Sequence, residues 1–144
     1  MIILLFLHIG LMVSAVTLSA GTSAILFMAH RAGRLAEVWP LLGSLPIEKV
    51  IPPLFLFGGL AGLATAISFG TSLVSPWLLI AYAGAILGGT VSPRLIRPIF
   101  GGLARSTDEA TLEAAVGREV VTDFAFTVGL FGLLIADMVF KPFS

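Results

Sequence analysis

Few side chains in this sequence can do chemistry in an apolar setting: Asp123, Asp137, His8 and Lys141 are the ionisable residues within, or at the edge of, its long uncharged runs. An acid in such a run is the residue type that holds a proton or a cation, because a lone buried carboxylate is costly. Asp123 and Asp137 are fourteen residues apart, so on one helix they lie within about 40° of a common face and about 21 Å apart. A centred span of about 30 Å places each some 4 to 5 Å inside the hydrocarbon boundary. Both are therefore expected to face protein, each with a partner. For Asp137 the candidates are Lys141, one turn later in the favourable acid-first order, and His8 in the same half of the membrane. For Asp123 they are Arg94, Arg97 or Arg118. Structural ion pairs are the preferred reading of both acids, with proton or ion binding as the alternative.

His8 raises the question of a haem or a chlorophyll. His8 and His30 are 22 residues apart on one helix, about 33 Å, which forbids both from ligating one macrocycle. A single-ligand haem or pigment at His8 stays open, and His30, followed by Arg31, reads as an interfacial residue that positions the helix end. No pair of His or acidic residues in the spans has metal-ligand spacing, so no metal site is expected. Catalytic patterns are missing too: there is no Gly-x-Ser-x-Gly elbow, no phosphate-binding loop and no His-Glu-x-x-His, and no enzyme activity is expected. Ser14, Thr17, Ser19, Thr22 and Ser23 form a hydroxyl run that can bond back to carbonyls of the preceding turn, or line a polar pathway.

The elements that position these residues follow from where charge is absent. Asp, Glu, Lys and Arg are missing between Met1 and His30 and again between Val50 and Pro93, and the chain is 58% apolar with 11% charged residues. Soluble domains are roughly 45 to 50% apolar. A membrane span takes about 20 apolar residues, which predicts four helices over about 2–28, 50–69, 76–92 and 120–140. Ser75-Pro76-Trp77 opens the third as N-cap, N1 and interfacial aromatic, and Pro93 is expected to end or kink it. The expected fold is all-α: one domain over 1–144, a polytopic four-helix transmembrane bundle. The first run is too long for a signal-peptide core and lacks a basic lead, so it reads as a retained helix.

Seven of the eight basic residues fall in two loops, Arg31, Arg34 and Lys49 in one and Arg94, Arg97, Arg105 and Arg118 in the other. The positive-inside rule puts both loops in the cytoplasm and both termini outside. Ser106-Thr107-Asp108-Glu109 reads as a capping box that starts a short cytoplasmic helix before the fourth span, or one continuous with it. Its face of Glu109, Glu113 and Arg118 reads as a solvated surface, with docking of a partner as the alternative. Gly58 with Gly62, and Gly84 with Gly88, are small-xxx-small pairs for close packing, within the bundle or against another subunit. Eight acids balance eight bases, which argues against nucleic acid as a partner, and with no Cys there are no disulfides or thiolate sites.

Leu7-His8-Ile9-Gly10, the stretch Pro53 to Gly62, Trp77, Asp123 and the ending Asp137-Met138-Val139-Phe140-Lys141-Pro142 resemble an uncharacterised bacterial family of small four-helix membrane proteins, a domain of unknown function. A fainter similarity links them to the membrane domain of copper-resistance D proteins. Met12-Val13-Ser14-Ala15 stands where those proteins carry Trp-x-Gly-Gly, a departure that puts a copper role in doubt. The resemblance covers nearly the whole chain, implies a bacterial inner-membrane location, and carries over no active site.

Three functions are open. The first is a non-catalytic accessory or scaffold subunit of a larger membrane complex, with lipids and other subunits, or itself, as partners. The second is a small proton- or ion-coupled transporter using Asp123 and Asp137, which a deep aqueous cavity reaching either acid would favour and a dry bundle with both acids paired to Arg and Lys would exclude. The third is a haem- or chlorophyll-binding subunit using His8.

Overall fold

The computed structural model describes residues 1–105 and 108–140, and among them every regular element is a helix. The helices are α1 (Ile2–Arg31), α2 (Leu35–Leu42), α3 (Ile47–Ser68), α4 (Pro76–Arg105) and α5 (Glu109–Phe140). All but α2 are long and apolar enough to cross a membrane. They form a ring in which α1 packs on α3 and α5, and α4 packs on α3 and α5. Short connections make each neighbour antiparallel, the arrangement of an up-and-down bundle.

The chain stops its helices where glycine permits it. Gly33 (φ 65°) and Gly70 (φ 67°) adopt the left-handed conformation that closes α1 and α3. Behind them Arg34 N–H reaches the Ala29 carbonyl at 2.8 Å and Thr71 N–H reaches the Ala66 carbonyl at 2.9 Å. These closures, each reaching five residues back, satisfy carbonyls that the helix end would otherwise leave bare. Helix α4 begins at Pro76 as expected, with the Ser75 carbonyl accepting from Leu78 and Leu79.

Two expectations are narrowed. Pro93 does not end α4, which continues through Pro93 and Pro98 to Arg105. Each proline removes one donor, but unwinding a packed helix would strand several backbone groups away from water. The short helix lies in the other loop: α2, with Leu35, Val38 and Leu42 buried on one side, docks against the bundle, Trp39 meeting Phe100 of α4 at 6.4 Å between ring centres. Of the two forms expected at the start of the fourth span, the continuous one is found: α5 runs from Glu109 to Phe140 without a break. Ser106 of the predicted capping box lies outside the described residues, and the start of α5 is capped by Asp108 Oδ2, which accepts from the Thr111 backbone N–H at 3.0 Å and its hydroxyl at 2.7 Å.

The outside is as apolar as the inside. Ile2, Phe6, Val13, Leu56, Phe57, Ile86, Val128 and Ile135 are all exposed, as lipid-facing positions would be. Packing within the bundle follows the four glycines singled out above. Gly58 faces Met12 and Leu11 of α1, Gly62 faces His8, Gly84 faces Leu134 of α5, and Gly88 lies under the Phe55 ring of α3, where a Cβ would come within 2.6 Å.

Candidate functional site

Two inward stripes organise the interior. On α1 they run His8, Met12, Ala15, Ser19, Ser23, Leu26 and His30; on α5 they run Asp123, Thr127, Leu130, Leu134 and Asp137, each stepping three or four residues. That spacing keeps a residue on one helix face, so both stripes point at the bundle axis. Polar residues on them gather at two levels, separated by Ala15, Leu130 and Phe55 on Gly88.

The level nearer α2 is a buried cluster. Asp123 is only 1% exposed, and its Oδ2 accepts a 2.6 Å hydrogen bond from the Ser23 hydroxyl. Ser19 meets Ser92 of α4 at 3.1 Å across the ring. Thr127, one turn from Asp123, is buried as well. Among the described residues Asp123 Oδ1 and Thr127 Oγ1 have no hydrogen-bond partner, though both are shut off from solvent. One turn further toward α2, Leu26, Ile96 and Val120 are buried, followed by Leu35, Leu103, Leu112 and Val116. The cluster is therefore closed at that end by an apolar plug.

The pairing expected for Asp123 does not form. Arg94, Arg97 and Arg118 are all exposed, and among the described residues Asp123 has no ion pair. Arg118 precedes Asp123 by five residues, which turns it about 140° away on the same helix. The hydroxyl run also behaves differently from expectation. Ser14 does bond back, to the Gly10 carbonyl at 2.8 Å, but Ser19 and Ser23 reach other helices.

The second level, toward the opposite end, is a cavity of about 530 Å³ between α1, α3, α4 and α5, lined among others by His8, Thr65, Trp77, Tyr82 and Asp137. It brings His8 and Asp137 into one chamber, without a hydrogen bond between them. His8 Nδ1 lies 2.7 Å from the Gly58 carbonyl. A carbonyl only accepts, so Nδ1 carries a proton, and in the neutral ring Nε2 is then the nitrogen with the lone pair, the one that a haem or pigment would take. Lys141 and its pairing with Asp137 lie outside the described residues. No group of three or more His, Cys, Asp or Glu that could hold a metal occurs among the described residues.

At the α2 end, Glu109 and Glu113 are engaged rather than simply solvated. Glu109 accepts from the backbone N–H groups of Leu35 at 2.6 Å and Ala36 at 2.8 Å, capping α2 from another helix. This satisfies donors that α2 cannot satisfy itself, since Arg34 at its N-cap provides no side-chain cap. Glu113 Oε2 lies 2.7 Å from His30 Nδ1, so His30 ties the end of α1 to α5. Asp108, receiving the Thr111 hydroxyl and amide, is held below the ordinary carboxylate range.

Comparison with protein-family models, with curated proteins and with solved structures finds no match.

Proposed function

We propose that this chain is a small proton- or cation-coupled membrane carrier, with four spans, both basic loops on the cytoplasmic side, and Asp123 as the coupling group. One observation carries the reading: a carboxylate sealed inside the bundle, without a basic partner among the described residues and with one oxygen unpartnered. An ionised carboxylate cannot rest there alone, so the group either keeps a proton or takes a cation. Ser23 orients it, and Ser19, Ser92 and Thr127 supply hydroxyl oxygens that suit either occupant. The sequence sets the same residues on a common axis with the Asp137 chamber, so two polar stations lie about 21 Å apart along α5. Infrared difference spectroscopy of the reconstituted protein tests the assignment. Stepping pH or adding Na⁺ should give a carboxyl signal that disappears in Asp123→Asn and persists in Asp137→Asn. If wild type and Asp123→Asn give the same difference spectra under all conditions, Asp123 is an inert structural group and the reading fails.

A second reading, an accessory subunit of a larger membrane complex, is supported by an outward-facing groove of about 640 Å³ between α3 and α4. Pro52, Leu56, Gly59, Leu60, Ile86 and Gly89 are among its walls, and its small residues leave a trough at the surface. Mass spectrometry of a gently solubilised native complex tests this reading; a chain that runs alone would overturn it.

A further inference from the structure

The chamber at the far end of the bundle differs chemically from the Asp123 cluster. Its volume of about 530 Å³ lies in the range of small-molecule sites, roughly 300 to 1,000 Å³. Among the described residues, Asp137 is its only carboxylate, and no Lys or Arg lines it. Two of its donors are already engaged: His8 Nδ1–H with the Gly58 carbonyl, and the Thr65 hydroxyl with the Ala61 carbonyl at 2.7 Å. Among what remains in the lining are acceptors, aromatic faces and the Tyr82 hydroxyl, for which no partner is found among the described residues. His8 keeps an Nε2 lone pair, and Phe69, Trp77 and Tyr82 contribute three aromatic rings. Gly62 keeps the wall flat behind the imidazole, where a Cβ would come within 2.7 Å of the ring.

A cavity of this kind selects against anions, which find no basic group among the described residues. It also selects against a bare inorganic cation, which needs a shell of oxygens that this mostly apolar lining lacks. It suits a cation with an apolar body, whose charge sits near Asp137 and whose hydrocarbon lies on the rings. We infer that the chamber is a binding site for a lipophilic organic cation, with Asp137 as its counter-charge and Trp77 and Tyr82 as its aromatic walls. As the cargo of a carrier, this ligand rests on the coupling role given to Asp123; as a binding site, it stands on the chamber alone.

The two Trp residues of the chain allow a direct test. In a Trp39→Phe background Trp77 is the single indole reporter. Titration of the purified protein with tetraphenylphosphonium should give a saturable change in its emission, and neutral triphenylphosphine oxide should not. Asp137→Asn should weaken binding by about tenfold or more, consistent with loss of a partly desolvated charge contact, and Asp137→Glu should restore it to within a few-fold of wild type. No saturable response in the Trp39→Phe protein, equal binding by Asp137→Asn, or an equal response to the neutral compound would each overturn the inference. Because the probe binds without transport, loss of the Asp123 infrared signal and loss of probe binding are separate failures.

Discussion

At the scale of single residues, the decisive contrast is between serines that look alike in the sequence. Ser14 and Ser23 both lie on α1 within one uncharged run, but Ser14 bonds to its own helix and Ser23 to Asp123. A typical intramolecular hydrogen bond contributes about 0.5 to 1.5 kcal/mol, and a buried acceptor left bare costs about 1 to 3 kcal/mol. Ser23→Ala is therefore expected to destabilise the detergent-solubilised protein by about 1 to 3 kcal/mol, with Ser14→Ala within about 0.5 kcal/mol of wild type; chemical unfolding measures both. Asp108 gives a pH-dependent counterpart. Its folded-state value is lowered by Thr111, so its contribution is present above the ordinary carboxylate value and is lost as pH falls through the lowered one. In Thr111→Val the Asp108 carboxyl should titrate closer to its ordinary value by NMR, and the first turn of α5 should fray at a higher pH than in wild type.

Among the elements, what could be read in advance was whatever the chain encodes locally. Uncharged length marked the four long helices, and Ser75-Pro76 marked the start of α4. Contacts between distant segments were not readable. Glu109 caps α2 from 73 and 74 residues away, and no local pattern announces that. Helix α2 itself had a signal, the spacing of Leu35, Val38 and Leu42, but Pro40 and the short length hid it. The acids Asp123 and Asp137 were found from their setting, whereas their partners depended on which face each arginine takes. Because α2 depends on a cap from α5, Glu109→Ala should speed hydrogen exchange at the Leu35 and Ala36 amides, by about fivefold to thirtyfold for a loss of about 1 to 2 kcal/mol. Glycine packing separates in the same way. Gly88→Val should destabilise the bundle by about 1 to 3 kcal/mol through overpacking against Phe55, while Gly129→Ala, with nothing within 4 Å of the added carbon, should be tolerated.

Across the whole molecule, the two polar stations have a direction. The Asp123 cluster is closed toward α2 by buried Leu26, Ile96, Val120 and the layer beyond them, and the Asp137 chamber lies at the end that carries the α3–α4 connection. Seven of eight basic residues flank the α2 end, which the positive-inside rule assigns to the cytoplasm. The chamber would then face outward and the sealed acid inward, so that a ligand enters from outside while the coupling group stays shielded from it. The chain has no Cys, so single cysteines can report this orientation without background. Ser44 and Ser72 are exposed in the connections at opposite ends of α3. A membrane-impermeant maleimide applied to intact cells should label Ser72→Cys readily and Ser44→Cys only after the membrane is opened. The reverse pattern would place the chamber on the cytoplasmic side and turn an importing or exchanging geometry into an exporting one. Equal labelling of both in intact cells would instead mean that the chain takes no single orientation, in which case the basic loops do not fix the direction of any flux through Asp137 and Asp123.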